Sequence, residues 1–212
     1  MNNTTDLTVQ LMFTNFVASS HLHEVNTDDL KKYSNDLRNF DSVGRQLSNR
    51  LGWQSANLNL RNPDPALIPL MTAIIHRVKS LYEQLEFTEE YEPYIDLMWI
   101  NINGKYNYNK EHEHPCALFS GCFYVNCPGQ NSCGNIVFQN PNQLLKYYLN
   151  ADAPRGELMK RMNHLTSAEW FVEPSEGKLL LFPGWLSHYV EPNLNDEERI
   201  SIAFNILTRK IK

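Results

Sequence analysis

The chain has 212 residues, of which 42% are hydrophobic, 11% are aromatic and 20% are charged. A chain of this length buries a sizeable core without disulfide bonds or metals, and its aromatic content excludes a disordered protein. Its 19 basic and 24 acidic residues give a net charge of −5, which argues against nucleic acid or an anionic membrane as a partner. No apolar run approaches the roughly 20 residues of a membrane span, and the first residues lack a signal-peptide pattern. We therefore expect a cytoplasmic protein with no membrane partner.

The N-terminal third predicts one strand and two helices. In residues 7–13 apolar and polar positions alternate, which indicates a half-buried strand. A helix is expected from Thr27, because acidic residues follow it and apolar residues recur at helical spacing as far as Phe40. A longer helix opens at Asp64-Pro65, with apolar residues at every third or fourth position as far as Leu85.

From residue 91 onward, short apolar runs alternate with clusters of Gly, Pro and Asn. Such a series predicts a β-sandwich or a closed barrel, interrupted by one further helical pattern in residues 141–162. We predict a single domain over residues 1–212, in which residues 1–90 supply a strand and supporting helices and residues 91–212 form the β-core. The expected strands lie in the runs YIDLMWINI, ALFSGCFYVN, NIVFQN, WFVEP, KLLLF, SHYVEP and RISIAFNIL.

Four cysteines lie close together in the β-rich part of the chain. Their spacing differs from the paired C-x2-C spacing of a zinc ribbon, and disulfide bonds are unexpected in a chain without an export signal. We interpret them as small buried hydrophobic residues in strands and turns. They are Cys116, Cys122, Cys127 and Cys133.

The last predicted strand has two chemically different faces. Apolar residues occupy every second position from Ile200 to Ile206, a face that requires a hydrophobic layer such as the long helix. Arg199, Ser201 and Asn205 lie on the opposite face. In a sandwich that face points inward, and a buried arginine requires an anion as a partner. The alternative is an edge strand whose polar face lies in solvent.

Three histidines have the spacing of a metal site. His112 and His114 are two residues apart, so on an extended segment they project to the same side. His188 on a distant strand supplies a third imidazole, and three such ligands form part of a metal site. The sequence His21-Leu22-His23 has the same spacing without the strand context, and we interpret it as a surface pair.

The order H-x-H, Y-x-N, H and R-x-S resembles that of the Fe(II)- and 2-oxoglutarate-dependent oxygenases, and in particular a set of such oxygenases found in bacteria and phages. The resemblance covers roughly residues 91–207. It implies a mainly β fold with flanking helices, a double-stranded β-helix (jelly roll, cupin-like). The matching stretches are WININGKYN, HEHP, SGCFYVN, EGKLLLFPG, ERISIAFN and His188.

The resemblance also implies a reaction and a role for each matching residue. Such enzymes convert 2-oxoglutarate and O2 to succinate and CO2 and hydroxylate a second substrate, often with ascorbate present. Arginine suits the far carboxylate of 2-oxoglutarate because its guanidinium pairs with both oxygens and stays charged. The implied roles are Fe(II) binding by His112, His114 and His188, cosubstrate binding by Arg199, Ser201 and Tyr124, and lining of the cavity by Asn126 and Asn205.

One position departs from the pattern of the family. Most members have Asp or Glu where this chain has His114, so Glu113 or a more distant acid remains an alternative source of the carboxylate. Trp99 is expected in the core, and Asn101 and Asn103 in a turn before Gly104.

Two other functions also remain open: a three-histidine dioxygenase that does not use 2-oxoglutarate, and a non-catalytic cupin-like binding protein. Neither the second substrate nor the oligomeric state is predicted by the sequence.

Overall fold

The structure is a computed structural model that describes residues 8, 10–129, 132–142 and 163–211. Within these ranges the protein has two α-helices, α1 (Thr27–Phe40) and α2 (Ile68–Gln84), and a short 3-10 turn, Pro65–Leu67. The strands are β1 (Ala18–His21), β2 (Asn49–Arg50), β3 (Trp53–Gln54), β4 (Tyr91–Asn103), β5 (Tyr108–His112), β6 (Phe119–Asn126), β7 (Ile136–Gln139), β8 (Glu169–Val172), β9 (Lys178–Pro183), β10 (His188–Val190) and β11 (Arg199–Lys210).

The strands of the described ranges form two antiparallel sheets. One has six strands in the order β1-β9-β6-β11-β4-β3, and the other has five in the order β2-β5-β10-β7-β8. Strands that are distant in sequence therefore lie side by side, as in a jelly roll. The predicted mainly β jelly-roll fold is confirmed, and the N-terminal third adds β1, β2 and β3 to the sheets.

Local sequence signals explain where the helices begin. Asn26 precedes α1 and its side chain accepts hydrogen bonds from the backbone N–H groups of Asp28 and Asp29. The cap of α1 is thus Asn26, one residue before the predicted start at Thr27. Asp64 accepts a bond of 2.9 Å from the backbone N–H of Ala66 and so begins the turn that leads into α2.

Both helices pack against the outer face of the six-stranded sheet. Leu30 of α1 and Ile74 of α2 are fully buried in one hydrophobic cluster with the outward-facing residues of β4, β6, β9 and β11. The apolar face of β11 from Ile200 to Ile206 contributes to this cluster, as the alternation predicts. The inward face of the same strand is left free to line the space between the sheets.

One prediction about local structure is wrong, and another concerns residues that lie almost wholly outside the described ranges. Residues 8 and 10–13 form no strand, and Leu11, Met12 and Phe13 are exposed; residues 7 and 9 lie outside the described residues. The edge of the sheet next to β9 is occupied by Ala18–His21 instead. The predicted helix within residues 141–162 falls almost wholly outside the described residues.

The cysteines are free thiols, and burial varies among them. Cys133 is buried and Cys122 and Cys127 are partly buried, whereas Cys116 is exposed. The prediction of burial is therefore wrong for Cys116, which lies in a turn with a left-handed backbone.

No helix among the described residues is long and apolar enough to cross a membrane. The cytoplasmic location stays a prediction.

The substitution Ile74→Ala is expected to lower the free energy of unfolding by about 2–5 kcal/mol, because it leaves a cavity between α2 and the sheet. Chemical denaturation measures this change. Lys79→Ala on the exposed side of the same helix is the control and should change stability by less than about 0.5 kcal/mol. Equal losses in both variants would contradict the packing of α2 described here.

Candidate active site

Three imidazoles converge between the sheets. His112, the last residue of β5, lies directly opposite His188, the first residue of β10, and their ring centroids are 4.4 Å apart. His114 brings its ring to 5.1 Å from His112 and 5.3 Å from His188. One nitrogen from each ring lies within 4.8 Å of the other two. These three histidines are the one group of this kind that could hold a metal ion in the described chain. All three rings are within reach of one metal ion.

A tight turn after β5 holds His114 in this position. The backbone N–H of His114 donates to the carbonyl of Gly184 at 2.9 Å, and the N–H of Ala117 donates to the carbonyl of His114 at 3.2 Å. Cys116 adopts a φ of 70°, which lets the chain reverse after Pro115. A Cβ at position 184 would lie 2.2 Å from the Ala117 carbonyl oxygen, so only glycine lets the turn approach this closely.

The three imidazoles are neutral and present free lone pairs. Burial lowers the pKa of His114 to about 4 and that of His188 to about 3, and it also lowers the pKa of His112. Nδ1 of His112 lies 2.7 Å from the carbonyl oxygen of Lys110, and Nδ1 of His188 lies 2.8 Å from that of Leu186. A carbonyl oxygen only accepts, so Nδ1 carries the hydrogen in both rings and Nε2 is left as the ligand atom. This donor set fits a transition metal such as Fe(II).

Arg199, the first residue of β11, is 2% exposed and lines the same cavity as the imidazoles. Its Nη1 donates to the backbone carbonyls of Cys133, of Gly134 at 3.1 Å and of Glu191 at 3.4 Å. Among the described residues no carboxylate forms an ion pair with it. Burial lowers the pKa of Arg199, but a guanidinium stays charged in proteins. A buried cation without a counter-charge is unfavourable, so this end of the cavity suits an anion.

Ser201 and Tyr124 lie opposite each other on β11 and β6, and both line the cavity. Tyr124 is 2% exposed, and Cys122 two residues before it on β6 lines the same cavity. Burial raises the pKa of Tyr124 well above its usual value and that of Cys122 to about 11. Tyr124 therefore remains a neutral phenol that can donate a hydrogen bond.

The cavity encloses about 60 Å³, and its wall includes residues that the sequence analysis assigned to other roles. Trp99 lies on its inner surface and stacks on His114 with 5.7 Å between ring centroids. Asn101 and Asn103 are inward-facing residues of β4 and form no turn before Gly104. Their alternation with outward-facing isoleucines is the signal that identifies them, as in β11.

Ser48 and Asn109 also line the cavity, and a hydrogen bond of 3.1 Å joins their side chains. No feature of the sequence singled them out.

Asn126 and Asn205, which were predicted to line the cavity, are not part of its wall. Asn126 at the end of β6 donates to the backbone carbonyl of Glu198 and accepts a bond of 2.9 Å from Lys31 of α1. Asn205 accepts a bond of 2.8 Å from the hydroxyl of Ser120, further along the same sheet. Both amides thus have hydrogen-bond partners within the chain and lie outside the cavity wall.

The described wall of the cavity contains no carboxylate. Glu113 is exposed, although it lies between the two histidines in sequence. Glu111 is exposed as well, and its carboxylate accepts a bond of 2.8 Å from Ser187. The geometry therefore favours His114 over Glu113 as the third metal ligand.

Comparison with known structures shows which fold the chain shares with other proteins. A prolyl-4-hydroxylase from Pseudomonas putida is 15% identical with a TM-score of 0.59, covering 94% of this chain and 95% of that chain. The viral collagen prolyl hydroxylase of Paramecium Bursaria Chlorella virus-1, in its 2-oxoglutarate complex, is 11% identical with a TM-score of 0.57. That match covers 90% of this chain and 94% of the viral chain. HygX from Streptomyces hygroscopicus, with nickel and 2-oxoglutarate bound, is 12% identical with a TM-score of 0.58. That match covers 91% of this chain and 83% of HygX. At such low identity these similarities show the jelly-roll fold.

The family is established by the sequence itself. Residues 97–205, about half of the chain, match the family described as "Putative 2OG-Fe(II) oxygenase", and the chain belongs to this family. No match was found among curated proteins. The protein is thus an Fe(II)- and 2-oxoglutarate-dependent oxygenase, with Fe(II) as its metal and 2-oxoglutarate as its cosubstrate.

The substitution Gly184→Ala is expected to weaken metal binding, because its Cβ would displace the turn that carries His114. Titration calorimetry should show a loss of roughly 10-fold in Ni(II) affinity. This is the size of loss expected when a contact that orients a metal ligand is disturbed. Gly104→Ala is the control, since its Cβ would meet only Asn107 at an ordinary 3.5 Å. Wild-type affinity in Gly184→Ala would show that the turn does not position the histidine.

Each of the variants His112→Ala, His114→Ala and His188→Ala is expected to weaken Ni(II) binding by roughly 100-fold or more, since a direct ligand contributes more than an outer hydrogen-bond partner. Glu113→Ala is the matched control, because this exposed neighbour lies outside the cavity wall. Loss of binding in Glu113→Ala together with retention in His114→Ala would instead assign the third ligand to the carboxylate.

Proposed function

We propose that the protein converts 2-oxoglutarate and O2 to succinate and CO2 and couples this reaction to the hydroxylation of a second, unidentified substrate. In this proposal His112, His114 and His188 bind Fe(II). Arg199, Ser201 and Tyr124 bind the cosubstrate. The observation that carries the proposal is that three neutral imidazoles and a buried guanidinium line one cavity, and no carboxylate of the described residues pairs with that guanidinium.

The two ends of the cavity favour a ligand with two different ends. At one end the imidazoles offer lone pairs to a metal, and at the other Arg199 requires an anion. A small 2-oxo dicarboxylate meets both needs, because its oxo-carboxylate end chelates metals and its other carboxylate pairs with arginine.

The residues of the chain prepare the site before the cosubstrate binds. The carbonyl groups of Lys110 and Leu186 fix two imidazoles with Nε2 unprotonated, and burial keeps the rings neutral. Bound Fe(II) supplies the centre at which O2 is activated. Tyr124 stays protonated and donates to a carboxylate oxygen, and the Ser201 hydroxyl lies beside it to do the same.

The charges of the site are consistent with a dianionic cosubstrate. Three neutral imidazoles leave the two positive charges of a divalent metal unbalanced, and Arg199 adds a third. The described cavity wall has no acidic side chain to offset them. The two carboxylates of 2-oxoglutarate supply two negative charges, so this site should depend on the cosubstrate for its charge balance more than a site with a carboxylate ligand does.

The reconstituted enzyme is expected to release succinate from 2-oxoglutarate in a reaction that requires Fe(II) and is supported by ascorbate. Arg199→Ala should raise the KM for 2-oxoglutarate by roughly 30-fold or more, because it removes the partner of a buried carboxylate. Succinate formation at varied cosubstrate concentration measures this change. Arg209→Ala on the same strand is the control, because its side chain is 64% exposed and pairs with Glu92 outside the cavity.

Other outcomes of this assay would point to other functions. Metal binding without succinate release would indicate a three-histidine dioxygenase that binds its organic substrate directly, with Arg199 holding a carboxylate of that substrate. Absence of metal binding would indicate a cupin-like binding protein. A KM unchanged by Arg199→Ala would contradict the assigned role of the arginine.

A further inference from the structure

Two side-chain amides in the cavity wall have buried atoms without a hydrogen-bond partner. Asn101 is 7% exposed and Asn103 is 1% exposed, and both line the cavity with Arg199. Oδ1 of Asn101 and Nδ2 of Asn103 have no hydrogen-bond partner in the part of the chain that the structure describes. Among the described residues the one other such atom is the hydroxyl of Tyr82 on α2, outside the cavity. Unpaired buried polar atoms are rare and destabilising, so two beside one cavity indicate a ligand-binding role.

The amides of Asn101 and Asn103 lie along the strand that joins the imidazole end of the cavity to the arginine end. Asn103 is directly opposite Arg199 in the pairing of β4 with β11. Trp99 stacks on His114 at the imidazole end of the same strand. Alternate residues of a strand face the same way, so Asn101 lies between the imidazole end and the arginine end.

The surroundings of Asn103 hold its backbone and leave room for its amide. The side chain of Asn193 donates a bond of 2.9 Å to the backbone carbonyl of Asn103. A Cβ at Gly52 would lie 2.7 Å from Nδ2 of Asn103, so a larger residue there would displace the amide. The side chain of Asn103 is thus closely surrounded, yet its Nδ2 has no hydrogen-bond partner among the residues that the structure describes.

We propose that Asn101 and Asn103 bind 2-oxoglutarate through hydrogen bonds from their side-chain amides to its oxygen atoms. This inference rests on the proposed function and adds two cosubstrate-binding residues to it. A primary amide carries a donor and an acceptor on one rotatable group, so Asn101 can turn its Nδ2 toward a cosubstrate oxygen. The cosubstrate would then be held along its length as well as at its two ends.

The variants Asn101→Leu and Asn103→Leu test this role, because leucine keeps the branched shape and removes the amide. With a ligand-binding role, each variant should raise the Kd of the Ni(II)-loaded protein for 2-oxoglutarate about 10-fold, measured by titration calorimetry. The metal-free protein should unfold at the same or a higher denaturant concentration, because an unpaired buried polar group has been removed. A purely structural role would instead lower stability and leave the Kd unchanged.

Asn101→Ala and Asn103→Ala repeat the test with smaller side chains, in case leucine prevents folding. Asn49→Ala is the control for a structural asparagine, since its Nδ2 donates to the carbonyls of Arg45 and Gly52 at 3.0 and 2.9 Å. It should lose stability and keep the wild-type Kd.

Wild-type Kd values in all four Asn101 and Asn103 variants would overturn the inference. If Arg199→Ala still weakened binding, the proposed function would stand without it. A wild-type Ni(II)-loaded protein that binds no 2-oxoglutarate would overturn the proposed function itself.

Discussion

Arg199 carries a positive charge between two β-sheets, where no carboxylate of the described chain pairs with it. Backbone carbonyls of Cys133, Gly134 and Glu191 orient its guanidinium without neutralising it. The charge is maintained because guanidinium does not lose its proton in proteins. The cavity therefore favours an anion at this end, and in the proposed function a metal on the neutral imidazoles would hold the other end of that ligand.

The two faces of β11 show how stability and function are separated in this fold. From Ile200 to Ile206 the outward residues share the main hydrophobic core with residues of both helices. The inward residues, beginning with Arg199, line a cavity whose polar groups are costly to bury. The unpaired amides of Asn101 and Asn103 on β4 belong to the same inward surface. The apolar core thus lies on one side of this sheet and the polar cavity on the other.

The all-imidazole cluster distinguishes this site from those that use one carboxylate and two histidines. His114 reaches the cluster because its turn docks on Gly184, whereas Glu113 next to it points away from the cavity and is exposed. Under the proposed function, the charge of the metal would then be balanced mainly by bound anions rather than by the protein. Cosubstrate binding and charge balance would be linked at such a centre.

The fold and much of the site could be predicted from the sequence because their signals are local. Helical periodicity predicted α1 and α2, and strict alternation predicted both faces of β11. Alternation alone predicted a strand at residues 7–13, but the sheet edge beside β9 is taken by β1. Asn101 and Asn103 precede a glycine and therefore resembled a turn, whereas β4 continues through both.

The sequence by itself determined which side of each regular strand is apolar and which residues can bind a metal or an anion, because these properties depend on residue type and on a period of two. The tertiary structure alone decided which side chains meet. His188 faces His112 only through the pairing of β10 with β5, and Ser48 enters the cavity wall from a segment with no chemical motif. The same pairing geometry left Asn126 and Asn205 outside the cavity. Such contacts depend on the order and register of strands far apart in the chain, which short-range patterns do not encode.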